Sequence, residues 1–122
     1  MLPDDYETLD ATSLSERVRR REIEPGSLLE QALARIAAVD AKVGAVVSID
    51  ADAAREDARR LALDAPFAGV PMLIKDTSVD VAGMSTRHGS KFFADAPPAA
   101  ADSDFVRRLR RAGCLIIGKS KT

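Results

Sequence analysis

The stretch Gly69-Val-Pro-Met-Leu-Ile-Lys-Asp76 carries the clearest strand signal in this chain. Gly69 permits backbone dihedrals that other residues avoid, and Pro71 fixes φ and removes an N–H donor, so both punctuate the approach to the strand. The run Met72–Ile74 is continuously apolar, as is typical of a strand covered on both faces. Lys75-Asp76 follows where such a strand would emerge. Taken alone, the stretch favours a core strand that ends in solvated charges.

The residues that follow alternate between helix and strand signals. A helix is predicted from about Ser103 to Ala112, and Gly113 stops it. Cys114–Ile117 is a second buried strand, and Gly118–Thr122 is predicted to leave it. This alternation favours an α/β fold whose strands pair at least partly in parallel.

The N-terminal half is predicted to be mainly helical. The expected elements are helices from about Thr12 to Ile23, from Ser27 to Asp40 and from Asp50 or Asp52 to Leu63, a break at Pro25-Gly26, and a short β-prone run at Gly44–Ile49. The side chains that can compete to cap the first helix are those of Asp10, Thr12 and Ser13. The residues expected to face the core are Leu14, Val18, Ile23, Leu29, Leu33, Ile36, Ala37 and Val39.

Composition and charge argue against several classes of protein. The net charge is −1 with 30% charged residues, so no electrostatic footprint indicates nucleic acid or a membrane surface. The basic clusters at residues 17–21 and 107–111 fit exposed helix faces. Cys114 is the single cysteine, which excludes an intrachain disulfide and suits a small buried side chain in a reducing compartment. The N-terminus lacks a signal-peptide pattern and no segment reaches the length of a membrane span, so the chain is predicted to be soluble and cytoplasmic.

The residues Gly113-Cys-Leu-Ile-Ile-Gly-Lys-Ser120 satisfy the phosphate-loop pattern G-x-x-x-x-G-K-[ST]. A phosphate loop needs a strand that delivers a flexible, glycine-rich loop to a helix N-terminus, where N–H groups converge on phosphates. Here a predicted helix precedes Gly113, and the residues between the two glycines are strand formers that favour burial. We therefore interpret the match as a coincidence and not as a nucleotide site.

Three segments in register form a stronger pattern. They are Gly69–Asp76, the glycine- and serine-rich loop Val79–Lys91, and Ala101–Lys119, in which a capped helix ends in Ala-Gly and an apolar strand closes with Gly-Lys. In order and spacing they resemble the amidase signature family of Ser–cis-Ser–Lys amide hydrolases. Arg35–Asp40 leading into Gly44–Val47 also resembles the opening of that family, so the resemblance covers nearly the whole chain. The end, Lys119–Thr122, departs from the more frequent G-K-T-N.

The resemblance implies that Lys75 is the base of an amidase. A bridging serine, preceded by a cis peptide bond, would pass the proton of a nucleophilic serine to Lys75. The base must be neutral, and burial by Met72–Ile74 is expected to lower the pKa of Lys75 far enough. The residues implied to border the substrate pocket are Gly83, Met84, Ser85 and Thr86. Neither a cofactor nor a metal ion is implied.

The roles of the remaining polar residues are open. Those that can be nominated as nucleophile or base are Ser78, Ser85, Thr86, His88 and Ser90, but none sits in a strand-to-helix elbow or beside a glycine pair. His88 is interpreted as a polar loop residue. Asp76 points away from Lys75 in an extended chain, so we expect it to accept structural hydrogen bonds from loop backbone.

The family's two serines would lie beyond residue 122, so the chain is interpreted as the N-terminal portion of a larger protein. Residues 1–64 would form a helical segment with one short strand, and residues 65–122 would begin the α/β amidase core, a mixed sheet flanked by helices. The full-length protein would act on a small-molecule amide, whereas these 122 residues alone are predicted to be inactive. The alternative is a non-catalytic truncated relative that self-associates as a homo-oligomer or binds a partner through exposed strand edges. No nucleic-acid or membrane partner is predicted.

Overall fold

The helices and strands are defined for residues 3–122, which the computed structural model describes, with side chains from Tyr6 onward. The helices are α1 Pro3–Thr8, α2 Ala11–Arg19, α3 Pro25–Val43, α4 Ala51–Arg59 and α5 Asp104–Arg111, and a 3-10 turn covers Lys91–Phe93. The strands are β1 Val46–Ile49, β2 Pro71–Lys75 and β3 Leu115–Ser120. Within this range, a helix with both the length and the apolar character needed to cross a membrane is absent.

The strands form one mixed sheet in which β3 lies at the centre. It pairs antiparallel with β1 and parallel with β2, which confirms the predicted α/β fold with partly parallel pairing. Leu115–Lys119 is buried along its whole length, whereas Met72 and Leu73 of β2 are only half-buried. Both faces of β2 are nevertheless covered as predicted, since Met72 and Ile74 pack in the cluster under α5 and Leu73 packs against the cluster under α3 and α4. The cover is partial because β2 is an edge strand with a neighbour on one side only.

Apolar side chains cover both faces of the sheet. Helices α3 and α4 pack on one face through a cluster that contains Leu29, Ala32, Ala54, Leu115 and Ile117. Helix α5 and the loop after β2 pack on the other face through Ile74, Val81, Met84, Val106, Cys114 and Ile116. A further cluster joins α2 to the start of α3 and to the turn before β2, and contains Leu14, Val18, Ile23, Leu28 and Ala68. Cys114 is thus a small buried side chain, as predicted.

A β-bulge at Ile117 determines which face of the sheet the end of β3 uses. The parallel pairs on either side of it are Met72 with Ile116 and Leu73 with Gly118. Ile117 is therefore an extra residue in β3, and the alternation of side chains between the two faces reverses after it. As a result Lys119 lies opposite Ile74 and shares the face that α5 covers.

The sequence signals at the helix ends act largely as expected, with one exception. Asp10 is the cap that α2 uses, since its carboxylate accepts a hydrogen bond from the Ser13 backbone N–H at 2.8 Å. Pro25-Gly26 is not a break but the start of α3, because proline suits the first helical turn, where its missing N–H has no partner to lose. The helix then runs to Val43 and ends at Gly44, whose φ of +63° is left-handed.

Some helix bounds and part of one helix face differ from the predictions. Helix α1 has no predicted counterpart, and α2 and α4 each end about one turn early. Ile23 is buried in the α2 cluster although it lies outside the helix, so tertiary packing and not helical propensity places it. On α3, Leu29, Leu33 and Ile36 pack against the sheet as predicted, whereas Ala37 is exposed. Leu28, which was not predicted to face the core, is buried in the α2 cluster.

Gly118 lies inside β3, although the sequence predicts that the chain leaves the strand at this residue. Strand β1 approaches so closely here that a Cβ at Gly118 would overlap the Ser48 carbonyl oxygen and lie 3.1 Å from the Ile49 Cα. The glycine of the phosphate-loop pattern thus serves the close approach of two strands.

We predict that Gly118→Ala destabilises the chain by about 1–3 kcal/mol, because the added methyl group forces β1 away from β3. Urea unfolding measures this loss. The matched control is Gly26→Ala in the first turn of α3, where a Cβ meets nothing within 4 Å and the free energy of unfolding should stay within about 1 kcal/mol of wild type. Equal stabilities of the two variants would contradict the role assigned to Gly118.

Candidate active site

The carboxyl ends of the parallel strands β2 and β3 lie side by side. Lys75 pairs with Ser120 at the end of the ladder, and the Asp76 backbone N–H donates to the Ser120 carbonyl oxygen at 2.9 Å. Beyond the ladder, the Thr122 hydroxyl donates to the Asp76 carbonyl oxygen at 3.2 Å and lies 2.5 Å from the Thr77 hydroxyl. Because hydrogen bonds continue past both strands, the two strand ends are held together as one edge.

Lys75 occupies the last position of β2, and its side chain is exposed. The prediction that Met72–Ile74 buries it is wrong for residues 3–122. Side chains alternate along a strand, so Ile74 points into the core under α5 while Lys75 points the opposite way, where the edge of the sheet leaves it open to solvent.

Asp76 is buried, with 1% of its surface exposed, and lies on the face opposite to Lys75. Its carboxylate accepts a hydrogen bond from the Arg87 backbone N–H at 3.0 Å. The predicted role, a structural hydrogen bond to loop backbone, is confirmed. This bond joins the end of β2 to the loop that precedes the 3-10 turn.

Lys119 is the buried lysine of the described chain, and the sequence did not indicate it. Its side chain is 0% exposed, and its Nζ donates to the Val79 carbonyl oxygen at 2.5 Å and to the Thr86 Oγ1 at 3.2 Å. Burial lowers the pKa of Lys119 from its ordinary value, and the carboxylates of Asp76 and Asp80 oppose this shift. No local signal reveals this placement, because the bulge at Ile117 that puts Lys119 under the loop of residues 79–86 arises from the register between β2 and β3.

The loop from Gly83 to Thr86 crosses the α5 face of the sheet. The backbone pairs with Ala99, which accepts from the Gly83 N–H and donates to the Met84 carbonyl oxygen. The Ser85 hydroxyl donates to the Ala96 carbonyl oxygen at 2.7 Å. Met84 and Thr86 are buried, while Gly83 is exposed in a left-handed turn with a φ of +82°.

Three of the four residues predicted to border the substrate pocket share one cavity. It has a volume of about 200 Å³ and is lined by Gly83, Met84, Ser85, Arg87 and the β1 end, Ser48–Asp50. Thr86 does not line it and bonds to Lys119 instead. Lys75 also lies outside its lining, so the described residues do not bring the candidate base and this cavity together.

A second cavity of about 310 Å³ lies at the edge formed by the two strand ends. Asp76 and Thr122 line it, together with three cationic side chains, those of Arg87, Lys91 and Lys121. A larger cavity of about 530 Å³ lies among α2, α3 and α4, and none of the candidate site residues lines it. Size alone therefore does not identify the site.

The other polar candidates make local contacts. His88 is exposed at a φ of +54°; its Nδ1 accepts from the Ser78 N–H at 3.3 Å, and its ring lies edge-on to Phe93. The Ser90 hydroxyl caps the 3-10 turn by accepting from the Phe92 N–H at 3.2 Å. These contacts agree with the interpretation of His88 as a polar loop residue.

The phosphate-loop pattern spans a helix end, a turn and a strand. Gly113, at a φ of +98°, lies in the turn between α5 and β3. The residues that follow it enter β3 and are buried. Their N–H groups are directed into the sheet and not toward a shared point. The geometry agrees with a coincidental match.

Comparison with known proteins identifies the family. A sequence model of the amidase family matches residues 27–122, which include Lys75, the loop Gly83–Thr86 and Lys119. The chain belongs to the amidase signature family. The resemblance drawn from the three segments is thereby confirmed.

The relatives of this amidase-family chain are longer than the chain itself. One subunit of the glutamyl-tRNA(Gln) amidotransferase of Salinispora tropica is 40% identical over 123 residues, which cover 95% of this chain and 25% of that protein. The structure of 6-aminohexanoate cyclic dimer hydrolase is 36% identical with a TM-score of 0.87, covering 93% of this chain and 23% of that one. Native peptide amidase from Stenotrophomonas maltophilia is 32% identical with a TM-score of 0.79, covering 94% and 25%. The chain thus spans about a quarter of the length of these relatives.

We predict that stability rises with pH through the titration of Lys119. Because its pKa in the folded chain is below the ordinary value of 10.5, between the two values the unfolded chain binds a proton that the folded chain does not. The free energy of unfolding should therefore rise as the pH approaches 10.5, and Lys119→Met should lack this contribution. Urea unfolding at a series of pH values measures the difference in the free energy of unfolding between wild type and Lys119→Met. Burial also raises the pKa of Tyr6, but the titration of Tyr6 is common to both proteins and cancels in this difference.

The matched control for this prediction is Lys42→Met in the last turn of α3, where the side chain is exposed. Its pH profile should run parallel to that of wild type. Parallel profiles for wild type and Lys119→Met would show that the buried ammonium does not titrate as stated.

Proposed function

We propose that this chain supplies the lysine base, Lys75, to an amidase that hydrolyses a carboxylic C–N amide bond by a Ser–cis-Ser–Lys mechanism. The observation that carries the proposal is the position of Lys75 at the carboxyl end of β2, beside the end of β3, within the segment matched to the amidase family. The two serines would come from a part of the protein that corresponds to the remaining three quarters of its relatives.

The proposed chemistry sets a condition on the surroundings of Lys75. A lysine can accept a proton only in its neutral form, and burial favours the neutral form over the ammonium. In the proposed reaction the nucleophilic serine gives its proton to the bridging serine, which gives its own proton to Lys75. We therefore propose that further chain covers the open edge beside Lys75 and makes the lysine a base only in the assembled site.

The described residues would serve this site in two ways. Asp76 holds the loop through the Arg87 N–H and so sets the chain direction just after Lys75. Gly83, Met84 and Ser85 present a cavity wall beside the end of β1, which we propose borders the substrate. Thr86, which follows Ser85, would anchor that wall through its bonds to Asp80 and Lys119.

We propose that the 122 residues alone do not hydrolyse amides. Two of the candidate serines make local hydrogen bonds, Ser85 to the Ala96 carbonyl oxygen and Ser90 to the Phe92 N–H of the 3-10 turn. A base without a nucleophile and an oxyanion hole loses nearly all of its catalytic effect.

The substrate is proposed only as a class, an amide. The names of the relatives mention a glutamyl-tRNA, a cyclic dimer of 6-aminohexanoate and a peptide, so the family supports the amide bond and no particular acyl group. We further propose that residues 1–64 form the N-terminal helical segment, that residues 65–122 begin the amidase core, and that the protein acts in the cytoplasm.

We predict that, in the protein expressed from its complete reading frame, Lys75→Ala lowers amide hydrolysis by about a hundred- to ten-thousandfold, as expected for loss of a general base. Release of amine from a panel of simple aliphatic, aromatic and peptide amides measures the rate. The exposed Lys42→Ala serves as control and should keep wild-type activity.

Two outcomes would contradict the proposal. One is full activity of a folded Lys75→Ala variant, which would remove the lysine from the mechanism. The other is a complete reading frame that encodes no downstream serine-rich loops, which would favour the non-catalytic alternative.

A further inference from the structure

The proposed reaction uses Lys75 and leaves the buried lysine, Lys119, without a task. A fully buried lysine is rare unless its charge is matched by hydrogen-bond partners. The groups that match it here do not come from the neighbouring strands. They belong to the loop of residues 79–86, which includes the proposed wall of the substrate pocket.

The ammonium of Lys119 contacts this loop at both of its ends. Its Nζ donates to the Val79 carbonyl oxygen at 2.5 Å and to the Thr86 Oγ1 at 3.2 Å. The Thr86 hydroxyl in turn donates to the Asp80 Oδ1 at 2.8 Å, so its hydrogen points away from the ammonium and its oxygen is free to accept. One side chain of the central strand therefore joins the first and last residues of the loop.

We propose that Lys119 is a positioning residue that holds the loop of residues 79–86 in one arrangement on the sheet. If the loop moved, Val79 and Thr86 would carry their oxygens away and leave the buried ammonium without its two hydrogen-bond acceptors, which is strongly unfavourable even though the Asp76 carboxylate stays in place. An apolar residue at position 119 would fill the same space but, without directional hydrogen bonds, would be compatible with several positions of the loop. The inference rests on the proposed function in one respect, namely that this loop borders the substrate.

The other polar contacts of the loop join it to the segment before α5. The Ala82 N–H donates to the Asp102 Oδ1 at 2.7 Å, the Gly83 N–H donates to the Ala99 carbonyl oxygen at 2.9 Å, and Ser85 bonds to Ala96. The Asp80 carbonyl oxygen accepts from the N–H of Ser103, the N-cap of α5, at 3.0 Å. Lys119 adds a direct polar link from the loop to the central strand of the sheet.

The bulge at Ile117 makes this link possible. Without the extra residue, regular alternation would place Lys119 on the same face as Leu115, against α3 and α4. With it, Lys119 follows Ile116 and Ile74 onto the face that carries Val81 and Met84.

The first test measures amide hydrogen exchange in the 122-residue chain, comparing wild type with Lys119→Met and with Thr86→Val. We expect exchange at Gly83 and Met84 to accelerate by at least about tenfold in both variants, because bonds to a charged group hold the loop closed. Amides in the middle of α3 should change much less. The control variants are Lys42→Met and Thr12→Val at exposed positions, which should leave the loop amides unchanged.

Unchanged exchange at Gly83 and Met84 in folded Lys119→Met overturns the inference. If that variant does not fold, unchanged exchange in Thr86→Val overturns it, since this variant keeps the shape of the side chain while it deletes the acceptor of Lys119 together with the bond to Asp80. Acceleration that is equal in the loop and in α3 also overturns it, because it indicates a loss of global stability and no specific role for Lys119 in the loop.

The second test separates this inference from the proposed function. In the protein from its complete reading frame, Lys119→Met should raise KM for an amide by more than it lowers kcat at a temperature where both proteins are folded. An unchanged KM together with faster loop exchange would overturn the link to substrate. If wild type has no amidase activity, the proposed function fails, while the exchange experiment still decides whether Lys119 positions the loop.

Discussion

Strand β3 is hydrogen-bonded on both sides and enclosed on both faces, and the remaining elements take their places from it. Its antiparallel neighbour, β1, comes close because Gly118 presents no side chain to the Ser48 carbonyl oxygen. Its parallel neighbour, β2, brings Lys75 and Asp76 to the same edge as Ser120. Segments separated by most of the chain length thus meet along six residues of β3.

Lys75 and Lys119 lie near this edge, and they differ because the side chains of a strand alternate between its faces and because only one of the two is open to water. Lys75 ends an edge strand and is open to water, so its charge costs little. Lys119 follows a bulge in the central strand and is enclosed, so its charge requires oxygen partners in fixed places. In the proposals above, Lys75 becomes enclosed only in the assembled site, whereas Lys119 is already enclosed and holds the loop of residues 79–86.

The sequence predicted the class of fold and the family because these depend on local patterns. Apolar runs indicated β2 and β3, helix signals indicated α5, and the spacing of three segments indicated the family. The placement of Lys119 could not be predicted from the sequence, because a bulge arises from the register between two strands and has no signal in the sequence of either strand alone. The exposure of Lys75 was missed for a similar reason, since the order of strands in a sheet decides which of them lies at an edge.

Cys114 has a consequence that follows from its place between α5 and the sheet. The thiol is free, 5% exposed and packed in the cluster with Val106 and Ile116, and burial raises its pKa. Because the thiolate is the form that reacts, and because almost all of Cys114 is covered, modification should be slow until α5 separates from the sheet. The rate at which a thiol reagent labels Cys114 therefore measures how often α5 separates from the sheet.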